Sequence, residues 1–329
     1  MEESLFEVKF KSSKVVCLVS DYNGLSISLL EKLLSNFFRV KILCVDKNLW
    51  ISKAPYLESN SFLSFEGINR SQGVVDYLIF ISSFFDNLEG KNIKNVLRNE
   101  ESRLRNSLLS ISVAEKRFFI LPYSVFGKFG NDLVNLYSLN LKKEDSSSKN
   151  FVIYLGNLIG PRMVLNNRDE ISICLRGLIE GKRVELPISP LTIVRPTPLG
   201  EVSRKIVSIL DQEDLAFRTL ISGRKIYLKD WTQILKIGFG NFDYIFLDKN
   251  VDTISGIMDM ELFIGNGVDL KFLRQTVNWF RTNRDSFYFE EDSLVGLGPA
   301  LVESVGKSGD DKDLRKEKND KRRFSKSIY

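Results

Sequence analysis

Five short runs of β-branched and other apolar residues set the strongest limit on how this 329-residue chain folds. They are KVVCLV (14–19), RVKILCVD (39–46), DYLIFIS (76–82), KRFFILP (116–122) and NFVIYLG (150–156). A strand that is apolar throughout has to be covered on both faces, which is the condition of a parallel sheet between two helical layers. Between the first two runs, Ile27, Leu30, Leu33, Leu34 and Phe37 recur at i, i+3, i+4 spacing, which predicts a helix over 26–38 with one broad apolar face. Residues 93–113 read as a second long helix. With right-handed crossovers, the alternation predicts an α/β fold with a Rossmann-like doubly wound parallel sheet.

Past residue 160 the rhythm breaks into shorter pieces. A proline-rich segment, 186–200, reads as an extended loop, 201–212 returns to helical spacing, and Leu270, Leu273, Val277 and Phe280 lie on one face of an amphipathic helix. The predicted organisation is a Rossmann-like domain over 1–165 and a smaller α+β C-terminal substrate-type lobe over 166–290, some of whose segments return to the sheet. An apolar extension with a charged, disordered tail follows over 291–329.

Composition removes several kinds of chemistry. There is no histidine, so Ser–His and Cys–His nucleophile pairs and histidine-based metal sites are excluded. Cys17, Cys44 and Cys174 stand alone in apolar runs, which predicts buried thiols and neither a metal site nor a disulfide framework. The net charge of +5 is concentrated from Lys307 onward, where nine basic residues face five acidic ones, so no nucleic-acid surface is expected. No apolar run approaches the roughly 20 residues of a membrane span, and the acidic, alternating start MEESLFEVKF is no secretory signal. The expected location is the cytoplasm.

The turn after the first strand, SDYNGLS, has the position of a dinucleotide-binding loop but only one glycine. Ser20, Asn23 and Ser26 occupy the three places where glycines let a backbone approach a pyrophosphate, and Gly24 is one place out of register. Asp46, ending the second strand about 20 residues on, stands where a ribose-binding carboxylate belongs.

With these residues, the chain resembles the NAD-dependent epimerase/dehydratase family, the extended short-chain dehydrogenases of nucleotide-sugar metabolism. VAEKRFFILPYSVFG (113–127) resembles the family's VKRFVYISSxxVYG segment, YLGNLIGP (154–161) its RxGNVYGP, and EVSRKIV the helix after its VHVDDVARAIV. DLKFLRQTVNWF is similar to its C-terminal EEGLRETVEWY helix. The resemblance implies NAD or NADP bound through Ser20, Asn23, Gly24, Ser26 and Asp46, and no metal. It also implies a nucleotide-sugar held by Asn157, Arg162 and Arg195, and assembly through helices near 93–113 and 130–142 as a homo-oligomer, or as a hetero-oligomer with an active relative.

The family's working pair is Tyr-x-x-x-Lys, and none of the ten tyrosines has a lysine four residues on. Pro122 falls where the family has a catalytic serine or threonine, and Ile68 where it has an adenine-contacting aspartate. The expectation is therefore a catalytically degraded pseudoenzyme that binds a nucleotide, a nucleotide-sugar or a partner subunit. Two alternatives stand beside it: an active epimerase or dehydratase using Tyr123 or Tyr137 as the acid–base, and an assembly subunit without a ligand.

Overall fold

The computed structural model describes residues 14–67, 73–85, 93–123, 149–165, 169–247, 258–265 and 268–283. In chain order, β1 (Val15–Val19), α1 (Gly24–Ser35), β2 (Arg39–Cys44), α2 (Lys47–Lys53) and β3 (Leu63–Gly67) come first. β4 (Gly73–Ile81), α3 (Ile93–Ser110), β5 (Ile111–Pro122) and β6 (Lys149–Leu155) continue the alternation. Shorter elements follow: β7 (Asn157–Ile159), α4 (Glu170–Glu180), β8 (Val184–Leu186), β9 (Ile193–Val194) and β10 (Pro196–Pro198). The last are α5 (Leu199–Ile209), β11 (Arg218–Ser222), β12 (Ile226–Tyr227), α6 (Leu228–Phe239), β13 (Tyr244–Phe246), β14 (Met260–Phe263) and α7 (Leu270–Thr282).

Eight strands form one sheet in the order β14-β11-β6-β5-β4-β1-β2-β3, and every pair in it is parallel. All five apolar runs are strands of this sheet, so the Rossmann-like α/β reading holds. Their side chains alternate between two cores. Val16 and Leu18 pack with Leu30 and Leu33 of α1 and Ile206 of α5, while Cys17 and Val19 pack with Leu104 and Leu108 of α3. Each fully buried aliphatic or aromatic side chain contributes roughly 1.5–3 kcal/mol, so the central strands hold both helical layers in place.

Three details differ from the sequence reading. α1 ends at Ser35, and Phe37 adopts a left-handed backbone (φ 62°) and is 66% exposed. The chain has to reverse into β2, so the periodic apolar face ends at Leu33 and the partly buried Leu34. Residues 111–113, placed in a helix by pattern, begin β5: Ile111 pairs with Gly73 and Val113 with Val75, and burial alternates residue by residue. The proline-rich segment is not a plain loop, because it contains β9 and β10. Pro196 and Pro198 lie opposite Asn157 and Ile159 in a two-stranded pair, where a missing amide is tolerated at an edge.

β11 and β14, both beyond residue 166, complete the sheet on the β6 side, with β11 beside β6. Ser203 of α5 hydrogen-bonds Ser28 of α1 (2.9 Å) on the face that the two helices share. The buried Lys116 ammonium of β5 donates to the carbonyls of Leu210 and Gln212 (both 2.8 Å), closing the C-terminal end of α5 with a cation. Among the described residues no helix is long and apolar enough to cross a membrane.

All three cysteines are buried and free. Burial pushes the Cys17 thiol up to about 12 and the Cys44 thiol up to about 11, and raises Cys174 as well. The folded thiol pKa values lie above the unfolded value of about 8.5, so their contribution to stability is complete below that pH and lost as pH rises through the folded values. Two outcomes are expected. An aromatic disulfide reagent at pH 8 labels no cysteine of 17, 44 and 174 in the native protein and all three in denaturant, and the thermal midpoint falls between pH 8.5 and 11. Fast labelling of any one in the native state would contradict the packing described.

Candidate functional site

The turn between β1 and α1 is closed by its own side chains. Asn23 caps α1: its Oδ1 accepts from the Ser26 amide (2.9 Å), and its own amide donates to Ser26 Oγ (2.8 Å). The carbonyls of Asn23 (2.9 Å) and Asp21 (3.0 Å) both lie within reach of the single Ser26 hydroxyl proton. This is a reciprocal capping box with serine in the third helical position. Amides at a helix start are what a phosphate would use, and here the box engages those of Asn23 and Ser26. Ser20, Asn23, Gly24 and Ser26 are all buried.

A second layer of chain lies over the same helix start. A Cβ on Gly24 would stand 2.3 Å from the Arg162 carbonyl oxygen and 2.6 Å from the Met163 amide nitrogen, so only glycine lets the turn after β7 rest there. Arg162 has a left-handed backbone (φ 61°), and its guanidinium reaches back to Glu31 of α1 (2.9 Å). The Tyr56 hydroxyl donates to the same carboxylate. Burial, and then that hydrogen bond, push the Tyr56 phenol up to about 12, so it remains a donor at neutral pH.

The nearby carboxylates serve the backbone. Asp46 caps α2, accepting from the amides of Asn48 (2.8 Å) and Leu49 (3.2 Å). Asp21 accepts from the Val45 amide (3.2 Å) and stands 3.9 Å from Arg103 of α3. Arg103 also pairs with the fully buried Glu100 (3.4 Å), which accepts from the Ser83 hydroxyl and amide.

The other candidates meet at the carboxyl ends of the central strands. Asn157 is engaged at both ends of its amide: Oδ1 accepts from the Arg195 amide (2.8 Å), and Nδ2 donates to Asp169, the cap of α4. Arg195 is 5% exposed; its guanidinium bonds Ser222 Oγ (3.3 Å) and Glu261 (3.3 Å), and its Cζ lies 5.1 Å from the Tyr123 ring centroid. Tyr123 follows β5 directly, with its amide on the Leu155 carbonyl (2.7 Å). Tyr137 and Ile68 lie outside the described residues.

Between the two clusters is a cavity of about 60 Å³, bordered by Asn23, Gly24, Phe84, Pro122, Asn157 and Leu199. Small-molecule and cofactor pockets are roughly 300–1,000 Å³. The fold thus brings Asn23, Gly24 and Asn157 to the border of one small space, with Ser26 bonded to Asn23 and the Arg162 backbone against Gly24. Asp46 follows the end of β2, and Tyr123 lies beside the Arg195 guanidinium. No group of three or more Cys, Asp or Glu suited to a metal ion occurs among the described residues.

Sequence reasoning missed Glu31, Tyr56, Arg103, Asp169, Ser222 and Glu261. Only Asp169 carried a local signal, an aspartate three residues ahead of Ser172 at the head of an apolar helix. Apart from the i,i+3 pair of Glu100 and Arg103, the others pair across 25 to 131 residues, and no local spacing reports that.

Solved structures share this fold. UDP-glucuronic acid 4-epimerase from Bacillus cereus, in complex with UDP-glucuronic acid and NAD, is 14% identical with a TM-score of 0.62, over 82% of this chain and 99% of that one. The NAD-dependent NDP-hexosamine 5,6-dehydratase TunA, involved in tunicamycin biosynthesis, is 12% identical with a TM-score of 0.58, over 82% and 98%. A GDP-L-fucose synthetase from Naegleria fowleri bound to NADP is 12% identical with a TM-score of 0.55, over 83% and 94%. No protein-family model matches the sequence, and no curated protein does. The chain therefore has the fold of the NAD-dependent nucleotide-sugar epimerases and dehydratases, at a divergence where likeness speaks for architecture alone.

The contact at Gly24 gives a direct test. Gly24→Ala is expected to destabilise the protein by about 1–3 kcal/mol, although alanine is the better helix former, because the backbone at Arg162 has to move. Arg162→Ala is expected to cost less than about 1 kcal/mol, since its ion pair is partly exposed. Urea denaturation of the two variants measures both, and a Gly24→Ala midpoint equal to that of the parent would show that the turn does not rest on α1.

Proposed function

We propose that this chain is a non-catalytic protein built on the nucleotide-sugar epimerase/dehydratase fold, and that it serves as a partner subunit in nucleotide-sugar metabolism. The observation that carries this reading is the closed start of α1, capped by Asn23 and Ser26 and covered by the backbone of Arg162 and Met163. A dinucleotide pyrophosphate needs that helix start open. The substrate-side residues support the same reading, because Asn157, Arg162 and Arg195 are each bonded within the protein. Pro122 has no hydroxyl to give at the position where the family resemblance places a serine or threonine. The solved relatives with NAD, NADP or a UDP-sugar supply the metabolic setting.

A second reading rests on one contact. Tyr123 stands at the carboxyl end of β5 against the Arg195 guanidinium, a phenol beside a cation where ligands enter open α/β sheets. An active enzyme with a non-standard acid would use Tyr123 there.

A thermal-shift series with NAD⁺, NADH, NADP⁺, UDP-glucuronic acid and UDP-glucose separates the readings. Ligand at about 100 times its Kd raises stability by about 2.7 kcal/mol, a shift of several degrees in a chain of this size. No shift with the dinucleotides, and no change at 340 nm with any sugar, is expected. A clear shift with NAD⁺ would overturn the closed-turn reading, and turnover abolished in Tyr123→Phe would establish the second one.

A further inference from the structure

A second cavity, of about 580 Å³, shares no bordering residue with the space at α1. It lies along the ribbon in which β9 and β12 pair antiparallel, with Ile193 opposite Tyr227. The amides of Leu228 and Lys229 extend this ribbon to the carbonyls of Thr192 (2.8 Å) and Pro190 (3.0 Å). Strand alternation sorts its side chains: Val194 is buried, whereas Ile193 and Tyr227 are 51% and 47% exposed. Together with Pro196, Trp231 and Ile234 they make an apolar wall, in a space whose size is that of a small-molecule site.

The charge around it is one-sided. Arg224 and Lys225 border the cavity, and the Lys229 ammonium lies 5.6 Å from the centroid of the Tyr227 ring. Arg224 has no ion-pair partner among the described residues, and Lys225 reaches Glu261 only at 4.0 Å. Asp230 is the acidic group at the rim. α6 starts here without any side-chain cap, its first two amides being taken by the carbonyls of Thr192 and Pro190. Trp231 borders the cavity and is itself only 1% exposed, so it forms the buried floor of the apolar wall.

We propose that this cavity binds a small amphipathic organic anion. Its apolar body lies along Ile193, Tyr227 and Ile234, and its anionic head faces Arg224 and Lys225. The pattern of a mostly apolar pocket with a few convergent polar groups fits such a ligand better than it fits a free inorganic anion, which would leave the wall exposed. The inference does not depend on whether the α1 turn admits a dinucleotide.

Isothermal titration calorimetry on the full chain tests it with octanoate as the probe, and with octan-1-ol and inorganic phosphate as the two halves of its chemistry. Octanoate is expected to bind with one site per chain, octan-1-ol about tenfold more weakly, and phosphate not at all; each tenfold corresponds to about 1.4 kcal/mol. The double variant Arg224→Gln, Lys225→Gln changes only exposed side chains, so its thermal midpoint is expected to match the parent while its octanoate affinity falls about tenfold. Absence of octanoate binding overturns the proposal. Equal affinity for octan-1-ol, or an unchanged affinity in the double variant, removes the anionic head from it.

Discussion

Burial of the central strands on both faces is the constraint from which the rest of this protein follows. β1, β4, β5 and β6 have no polar face to turn toward water, so α1 and α5 must cover one side and α3 the other. Once those helices are fixed, the start of α1 is fixed as well, at the carboxyl end of β1. What happens at that point decides the chemistry open to the fold.

Here two kinds of contact meet at the helix start. Asn23 and Ser26 bond each other's backbone, and the turn after β7 comes down onto Gly24. The single glycine of the turn thus serves a backbone contact inside the protein, at a place where the family resemblance would have glycines serve a phosphate. Arg162 and Glu31 tie the two layers together from outside, and Tyr56 adds its hydroxyl to the same carboxylate. The polar residues that resemble a ligand-binding set are thereby engaged as fold-stabilising contacts, with donors and acceptors matched pair by pair.

The carboxyl ends of the strands repeat the pattern on the other flank. Arg195 is buried among Tyr123, Ser222 and Glu261, three residues from three strands or their ends, and Asn157 joins the Arg195 backbone to the cap of α4. Removing Glu261 would leave the buried Arg195 guanidinium without its counter-charge, whereas removing the Ser222 hydroxyl would cost one hydrogen bond. The ribbon of β9 and β12 lies apart from both clusters, and its exposed Ile193 and Tyr227 have no comparable internal partners in the core.

Much of the architecture was legible in the sequence, because apolar runs and helical spacing are local signals that burial enforces directly. The five runs became strands, and Leu273, Val277 and Phe280 became the buried face of α7. Where local pattern misled, a neighbour decided: Ile111 and Val113 have helical spacing behind them but joined β4, and the prolines of 196–198 found an edge position beside β7. The site was legible only as a set of residue types. That Ser20, Asn23, Gly24 and Ser26 stand at a strand-to-helix turn follows from the sequence alone, since order along the chain places them. That Arg162 covers Gly24 and pairs with Glu31, 131 residues away, was decided by tertiary structure, because such contacts depend on how β7 and α1 are brought together and not on spacing within either.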